Sequence, residues 1–532
     1  MKTRCSYVPY RKTGKFQPIV CDYLDQDPFL KPFYEAAPTL DNFQHFIHQK
    51  SQKTVDRVVL TEVLRDQYKQ AGILDSIVEE QISKLLSEHT FTITTGQQTG
   101  ILLGPLYSPL KIISAIKMSQ ELSNKYPQNQ FVPIFWMATE DHDVAEIDHV
   151  WVEGQKLQWN SNQTGPVGRF SLDGMEEVLV QFDQIAGKSP DAVRLKEIFK
   201  NAYALPNLSL ATRYIVHQLF GHWGLLVIDA DDTRLKKAFA PIIIQDILEK
   251  NSFREVSQTK EKLEERYHSQ VNGREINFFF LEDGYRERIV EEEGRFLTHD
   301  GKHSWNSEEL KGLISEHPDK FSPNVLMRPL YQETILPNIA YFGGGAEISY
   351  WLELKGIFDH YRMPFPALML RNSALIIDRR NTLRIEHARF QEEDLFKTRS
   401  ELEKQIALSL SESDLELKNE FSDLTRLINQ LKNHAQGFDT TLVSSAEALG
   451  KRLEDQLGRY SQKLIRAQKR ASAIEINRLN EVFNHIYPGG TLQERKESIS
   501  TFILRHSFLI LDVIMDGCQP LEKSFLLIYQ ED

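Results

Sequence analysis

The sequence predicts an α/β protein with a doubly wound core of parallel strands and inserted connecting segments, followed by a long antiparallel α-helical coiled coil. Two observations predict this fold class. A strand, a glycine-rich loop, a helix and a second strand follow one another between residues 91 and 137, as at the start of a doubly wound sheet. Nearer the C-terminus, apolar residues recur at heptad spacing over long stretches.

The N-terminal segment, residues 1–90, is predicted to begin irregularly and then to form helices that pack on the core. Residues 54–86 are rich in Val, Leu, Ile, Glu and Lys at helix-like spacing, which indicates amphipathic helices.

The predicted core covers residues 91–380. Its loop 95–107 carries three glycines and leads into a predicted helix over 109–122, which has a proline in its first turn. Insertions are expected near residues 150–220 and 255–325. Short apolar or β-branched runs predict buried strands at residues 91–95, 131–137, 224–229 and 367–370.

The predicted coiled-coil arm covers residues 381–486, and no proline occurs between Pro366 and Pro488. A break is expected at Gly437 and residues 439–441, so two helices should form an antiparallel hairpin. A second copy of the chain is the simplest partner for so long an arm, and residues 487–532 are expected to return to the core. The first heptad seam is Leu417, Phe421, Leu424, Ile428, Leu431 and Ala435. The second seam, with a stutter after Leu453, is Leu442, Ala446, Leu449, Leu453, Leu457, Tyr460, Leu464, Ala467, Ala471 and Ile474.

Composition narrows the functional classes. The 532 residues carry a net charge of −12, which argues against nucleic-acid binding. The three cysteines form no CxxC pair, so neither a disulfide framework nor a structural zinc site is expected. Because the sequence shows no signal-peptide pattern and no apolar run of about 18–20 residues, a cytoplasmic protein without membrane spans is expected.

The glycine-rich loop is the first candidate binding element. Glycines at 96, 100 and 104, between a strand and a helix, let the backbone approach a ligand. Gln97 and Gln98 add amide donors and acceptors. The spacing is neither GxGxxG nor a Walker A loop, since the full pattern GxxxxGK[ST] does not occur. An ordinary tight turn is the alternative interpretation.

The acidic segment Glu140, Asp141, His142 and Asp143 is the second candidate. It follows a buried strand, at the edge of the sheet where open α/β proteins bind ligands. Carboxylates around a histidine can raise the pKa of the imidazole, steer a cation or hold a metal. A metal site is not expected, because adjacent side chains cannot all point at one ion. A solvated acidic turn is the alternative.

A third candidate covers residues 322–351, where Arg328 is suited to bidentate binding of a carboxylate or phosphate. Gly343–Gly345 could form a second backbone cradle before a helix. An ordinary salt bridge and a glycine turn are the alternative. The expected substrate-binding residues of all three elements are Gln97, Gln98, Gly100, Tyr107, Lys111, Asn324, Arg328, Gln332, Tyr341, Gly344, Gly345 and Glu347.

Four stretches together resemble one family, the cysteine ligases of bacillithiol biosynthesis (BshC). They occur in the family's order and, with the coiled coil, extend the resemblance over essentially the whole chain. At positions such as Thr99 and Gly344 other small residues would be expected, which leaves open which side chains of these stretches contact substrate. The stretches are TGQQTGILLGPLY at 95–107, FVPIFWMATEDHD at 131–143, RPLYQETILPNIAYFGGGAEISYW at 328–351 and YPGGTLQER at 487–495.

This resemblance implies a Rossmann-like core, a coiled coil that mediates homodimerisation, and addition of cysteine to glucosaminyl-malate to give bacillithiol. The small-molecule substrates would then be cysteine and glucosaminyl-malate. A different Rossmann-type enzyme, such as a nucleotidyl- or glycosyltransferase, is the first rival function. A non-enzymatic coiled-coil scaffold is the second.

Amide formation from a carboxylate requires activation, most simply by ATP. In the expected mechanism His142 takes the proton of the attacking amine, with Glu140 and Asp143 beside it. Asp141 or Glu140 could instead bind an ammonium group, and Arg328 and Lys111 would bind anionic parts of the substrate. The expected nucleotide-binding residues are Pro488, Gly489, Gly490, Gln493 and Arg495, although this stretch could equally be a helix-ending turn and cap.

Overall fold

The computed structural model describes residues 2–411 and 413–531, which form two compact units. The first unit runs to Ile376 and includes Thr491–Ile528. The second unit contains Ile377–Gly490 and the residues from Tyr529 onward. Among the helices of the described residues, none is long and apolar enough to cross a membrane.

The strands, in chain order, are β1 (Thr3–Pro9), β2 (Thr90–Gln97), β3 (Gln130–Met137), β4 (His149–Val152), β5 (Gln155–Gln158), β6 (Leu226–Asp229), β7 (Phe278–Glu282), β8 (Tyr285–Glu292), β9 (Arg295–Thr298), β10 (Ser304–Trp305), β11 (Phe321–Pro323), β12 (Asn338–Gly343), β13 (Ala367–Leu370), β14 (Ala374–Ile377) and β15 (Ser524–Gln530).

The α-helices are α1 (Tyr10–Thr13), α2 (Pro18–Leu24), α3 (Phe43–Ser51), α4 (Arg57–Gln70), α5 (Ser76–Lys84), α6 (Tyr107–Lys125), α7 (Val144–Ile147), α8 (Met175–Ala186), α9 (Pro190–Ala202), α10 (Leu208–Phe220), α11 (Thr233–Glu249), α12 (Asn251–Leu263), α13 (Ser307–Glu316), α14 (Arg328–Ile335), α15 (Gly345–Leu352), α16 (Lys355–His360), α17 (Arg379–His387), α18 (Arg399–Ser409), α19 (Lys418–Phe438), α20 (Leu442–Ala471), α21 (Ala473–Ile486), α22 (Ile499–His506) and α23 (Leu509–Gly517).

A five-stranded parallel sheet in the order β13-β12-β2-β3-β6 forms the centre of the first unit. This confirms the predicted doubly wound α/β core. Its strands are short apolar runs because both faces of a parallel sheet are covered. Helix α6 packs on β2 and β3 through Ala115, Met118 and Leu122. Strand β12 is not among the predicted strands, and it lies between β13 and β2.

The chain leaves this sheet in two inserted segments. Between β3 and β6 the chain forms the β4–β5 hairpin and helices α8, α9 and α10. Between α12 and β12 it forms a separate antiparallel sheet in the order β10-β9-β8-β7-β11. The sequence analysis expects insertions near both places but not the second sheet.

A third sheet, in the order β1-β15-β14, joins distant parts of the chain. Residues 3–9 form β1, where the sequence analysis expects an irregular start. The N–H of Tyr10 donates to the carbonyl of Lys523 at 2.9 Å, next to this pairing. The first and last strands of the first unit are therefore neighbours.

In the second unit, α19 and α20 form an antiparallel helical hairpin. Ile428 packs against Gly450, and Lys432 pairs with Glu447, so residue numbers rise on one helix as they fall on the other. The predicted long-helix coiled-coil domain is thus confirmed. The expected break at residues 439–441 is confirmed, since α19 ends at Phe438 and α20 begins at Leu442, although Gly437 itself still belongs to α19.

The second predicted seam holds in part: Ala446, Leu453, Leu457 and Leu464 are half-buried, but other members face solvent. Leu449 and Tyr460 are 42% and 55% exposed, whereas Gly450 and Ser461 are buried. Ile474 lies beyond the end of α20, in the next helix. The face of α20 that packs on its neighbours therefore includes small residues, which a search for apolar side chains does not detect. Helices can approach closely where a side chain is absent.

Replacing Gly450 by Leu should lower the free energy of unfolding of the helical hairpin by about 1–3 kcal/mol, since overpacking forces neighbours to move. A Cβ at Gly450 would lie 2.9 Å from Cγ2 of Ile428. Denaturant unfolding followed by circular dichroism measures the change. Gly458→Leu on the same helix is the control, because a Cβ there meets nothing within 4 Å. Equal destabilisation by the two variants would contradict the close packing.

Candidate functional site

A cleft of about 1060 Å³ lies at the carboxyl edge of the central sheet, in the first unit. Ligands bind at this edge in open α/β sheets because the loops after parallel strands converge there. Most of the predicted substrate-binding residues line the cleft, and two do not. Those that line it are Gln97, Gln98, Tyr107, Lys111, Asn324, Arg328, Tyr341, Gly344, Gly345 and Glu347.

The glycine-rich loop forms one wall. A Cβ at Gly96 would lie 3.4 Å from the carbonyl oxygen of Trp136, so the loop passes close to the neighbouring strand. Leu102 and Leu103 have φ of 49° and 72°, a left-handed conformation that costs about 1 kcal/mol or more for each non-glycine residue. The N–H of Leu102 donates to the hydroxyl of Tyr203 at 2.8 Å, which helps hold this strained turn.

Two predicted binding residues lie behind the cleft wall. Gly100 has φ of −61°, which needs no glycine, and it does not line the cleft. Gln332 is buried, and its Oε1 accepts from Nη1 of Arg328 at 3.0 Å. The expectation that these two residues contact substrate is corrected, because one belongs to the turn and the other orients Arg328.

Lys111 is fully engaged by protein groups. Its Nζ donates to the carbonyl of Gly96 at 2.9 Å and to Oε1 of Gln97 at 2.8 Å, and it forms an ion pair with Glu347. An ammonium has three N–H donors, so none is left for a substrate anion. The expected anion-binding role of Lys111 is corrected: this side chain positions the loop after β2.

Glu347 is the other half of this contact. Its carboxylate accepts from the N–H of Gly344 at 2.8 Å and from the hydroxyl of Tyr341 at 2.6 Å. Burial works to raise the pKa of Glu347, but Lys111 and the Gly344 N–H hold the pKa below its usual range. Burial lowers the pKa of Lys111, and Glu347 offsets part of that shift. The pair ties the end of β2 to the N-terminus of α15.

Arg328 is the best-placed anion-binding group. Its guanidinium lies between two rings, 5.8 Å from the Trp136 ring centre and 5.3 Å from that of Tyr341. Within the described part of the chain, its Nη2 is buried without a hydrogen-bond partner. A buried donor without a partner costs about 1–3 kcal/mol, which a bound carboxylate or phosphate would offset.

Glu140 and Asp141 line the cleft, but both carboxylates already have partners. Glu140 pairs with the buried Lys236 at 2.6 Å. Asp141 accepts from Nε2 of Gln98 at 2.5 Å and lies 3.3 Å from Nη1 of Arg286. Burial works to raise the pKa of Asp141, yet hydrogen bonds and Arg286 hold the pKa well below its usual range.

His142 and Asp143 are not among the residues that line the cleft. His142 is exposed, and its Nδ1 contacts Nη1 of Arg286 at 2.5 Å. Asp143 caps α7 by accepting from the N–H of Ala145 at 3.1 Å. The expectation that four adjacent residues form one catalytic group is corrected, because successive side chains after β3 diverge.

The segment after the helical unit forms another wall. Gln493 is buried against β14 and exchanges hydrogen bonds with the backbone of Ile376 at 2.9 and 3.0 Å. Glu494 binds the guanidinium of Arg371 in bidentate fashion at 2.7 and 3.0 Å. These anchors fix the backbone on which Arg495 reaches the cleft. Gln493 itself does not line the cleft, so its expected contact with a nucleotide is corrected.

Pro488, Gly489 and Gly490 belong to the second unit, where they form a 3-10 turn after α21. Lys496 lines the cleft of the first unit, with Nζ 3.9 Å from the ring centre of Trp151.

Several cleft residues are absent from the sequence-based prediction. Glu146 and His149 lie in the segment after β3, only a few residues past the acidic segment. Their position after a strand end could therefore have identified them as candidate site residues. Arg371 directly follows the predicted strand 367–370, so its position after a strand end could also have identified it. Arg286 belongs to β8 of the antiparallel sheet, which the sequence analysis did not predict, so no predicted strand end pointed to this residue.

Comparison with known proteins gives full-length similarity. Residues 1–372 match the family model described as the N-terminal Rossmann-like domain of bacillithiol biosynthesis BshC. Residues 374–530 match the model of its C-terminal coiled-coil domain.

Individual relatives agree with these models. A Flavobacterium johnsoniae protein named "Putative cysteine ligase BshC" is 38% identical over 99% of this chain and 100% of its own length. Proteins of the same name from Christiangramia forsetii and Bacillus cytotoxicus are 36% and 25% identical. These matches cover 99% of both chains in the first case, and 92% of this chain and 93% of the relative in the second.

Lys111→Met should destabilise the first unit by about 2–4 kcal/mol, because Glu347 is left without its ion-pair partner. Adding Glu347→Gln to Lys111→Met should restore part of that loss. Lys125→Met on the same helix, which removes an exposed pair with Asp41, is the control and should change little. Chemical denaturation measures all four proteins. A double variant no more stable than Lys111→Met would contradict the coupling.

Proposed function

The chain belongs to the bacillithiol biosynthesis BshC family of cysteine ligases, and from this premise we propose that it joins the carboxyl group of cysteine to the amine of glucosaminyl-malate. The observation that carries the proposal is the polarity of the cleft. Arg328 offers an unpartnered buried donor, and Arg495 adds a second cation. Glu146 offers a carboxylate on the segment after β3.

Each group suits one part of these substrates. The malate moiety carries two carboxylates, which Arg328 would bind through Nη2. The ammonium groups of cysteine and of the amino sugar suit a carboxylate such as Glu146. Burial and the neighbouring Asp143 and Asp141 raise the pKa of Glu146, and a bound cation would lower it again.

We further propose that a nucleoside triphosphate such as ATP activates the cysteine carboxyl group. The chain lacks a Walker A sequence, so phosphates would be bound by side chains rather than by a glycine loop. Arg495 and Lys496 line the cleft and suit this task, because cations balance phosphate charge. We place this chemistry in the cytoplasm, a reducing compartment that suits the free thiols of Cys5, Cys21 and Cys518.

Reconstitution tests the proposal. Purified protein, cysteine, glucosaminyl-malate and ATP should yield a thiol of the mass of the condensation product, together with ADP or AMP. Omitting any one substrate should abolish the product, and Arg495→Ala should raise the KM for ATP about tenfold. Absence of the thiol product with folded wild-type protein would refute the proposed reaction.

Arg328→Gln should raise the KM for glucosaminyl-malate by roughly 10- to 100-fold, as expected for loss of one or two charged hydrogen bonds. The KM for cysteine should change little. Arg295→Gln is a suitable control, since that side chain is 54% exposed in an ion pair outside the cleft. An unchanged KM for glucosaminyl-malate in Arg328→Gln would remove Arg328 from the substrate site.

We also propose that the chain forms a homodimer through its coiled coil. Leu427, Leu431 and Phe438 lie four and seven residues apart on one face of α19, and all three are exposed. Such a face in water favours association.

Leu427→Glu with Leu431→Glu should therefore convert a dimer to a monomer, as measured by analytical ultracentrifugation. Val58→Glu, at an exposed apolar position in the first unit, is the control and should remain dimeric. A monomeric wild type, or a dimer that survives both glutamates, would contradict this proposal.

A further inference from the structure

With His142 outside the cleft, the reaction needs another proton acceptor, and the segment after β3 supplies one. His149 is the first residue of β4, and it lines the cleft. Its Nδ1 lies 2.8 Å from Oδ1 of Asp148. This contact leaves Nε2 as the open ring nitrogen, and within the portion of the chain described by the structure the ring makes no second hydrogen bond.

The backbone on both sides of this pair is fixed. The N–H of Asp148 donates to the carbonyl of Val144 at 3.0 Å, which closes α7. The carbonyl of Asp148 accepts from the N–H of the fully buried Trp159 at 2.7 Å. His149 pairs with Gln158 across the β4–β5 hairpin. The imidazole therefore starts from a defined position, as a general base requires.

The other carboxylates near the sheet edge are already committed. Glu140 is paired with Lys236, and Glu347 with Lys111. Asp141 is held by Gln98 and Arg286. A carboxylate fixed in such a pair is a poor proton acceptor, because protonation would break the pair.

Glu146 remains, hydrogen-bonded by the neutral amide of Gln98 rather than paired with a cation. Its carboxylate is therefore suited to holding the ammonium group of the amine substrate before the protons are removed. The histidine and Glu146 lie three residues apart in sequence, and both line the cleft. Binding and deprotonation of the amine can therefore be divided between two neighbouring groups.

We propose that His149 is the general base of amide formation and that Asp148 is its positioning residue. The assignment rests on the proposed function. The amine nitrogen attacks the carbonyl carbon of cysteine, which the nucleoside triphosphate has activated as an acyl phosphate or acyl adenylate. The ammonium first loses one proton to solvent, because only the neutral amine has a lone pair with which to attack. As the C–N bond forms, the second proton passes from the nitrogen to Nε2 of His149.

The C–O bond to the activating group then breaks, and phosphate or AMP leaves with the bonding electron pair. The imidazolium carries one added proton, which it returns to solvent. Asp148 keeps Nδ1 protonated, so that Nε2 carries the lone pair, and its carboxylate stabilises the imidazolium. Atoms and charge balance without any further reactant.

Kinetics of His149→Gln in the reconstituted reaction test the assignment. Loss of a general base should lower kcat by about 10²- to 10⁴-fold, while each KM changes less than about threefold. His142→Gln is the matched control, and should keep kcat within about threefold of wild type. Circular dichroism checks that each variant is folded.

A second measurement separates chemistry from folding. Imidazole added to His149→Ala should restore part of kcat, which it cannot do for a structural defect. Asp148→Asn should lower kcat by roughly 10-fold or more, whereas Asp148→Glu should regain part of that loss with KM unchanged.

Three outcomes would overturn the assignment: a His149→Gln variant with near-normal kcat, equal losses in His149→Gln and His142→Gln, or no response of His149→Ala to imidazole. In each of these cases an active wild type would leave the proposed function standing. A folded wild type that forms no product would overturn the proposed function, and the base assignment with it.

Discussion

The cleft depends on one buried ion pair. Lys111 reaches from α6 to the loop after β2 and to Glu347 at the start of α15. Three loops converge at the sheet edge, and this contact adds to the pairing of β2 with β12 a direct link between the loops that follow the two strands. A buried pair contributes little net stability compared with apolar packing. Its value here is geometric, because every donor of the ammonium meets a different backbone or side-chain group.

The remaining charged and titratable groups of the cleft are of two kinds. Committed groups are paired with other protein groups, and open groups keep a nitrogen free for a ligand. Committed groups such as Arg371 and Glu494 hold one wall in place through bidentate hydrogen bonds. Open groups are the ring of His149, which lines the space where substrates would sit, and the buried, unpartnered Nη2 of Arg328, a residue that also lines the cleft. This division explains why a cleft crowded with charge can remain rigid and still offer binding sites.

The sequence reveals the sheet and much of the cleft, because strand ends can be read from apolar runs and strand ends meet at one edge. Gln97 was found in this way, whereas Arg328 was chosen because a guanidinium suits bidentate binding of a carboxylate or phosphate. Apolar runs do not show in which direction consecutive side chains point after a strand ends. His142 was therefore predicted as the catalytic histidine, whereas His149 is the histidine that lines the cleft. Arg286 reaches the site from an inserted sheet, and no local pattern connects such a segment to the core. Gly450 was missed because an apolar pattern counts side chains, whereas close helix approach requires their absence.

The pairing of β1 with β15 places the start of the chain beside a strand made almost last. The cleft wall at residues 491–498 is likewise synthesised after the whole helical unit. Until then Arg371 lacks Glu494, and an unpaired buried guanidinium costs several kcal/mol. On the ribosome, the nascent chain would hold an unfinished sheet and an open pocket through most of translation. A prematurely terminated product would thus be recognisable to cellular proteases as unfolded before it could bind or consume substrate.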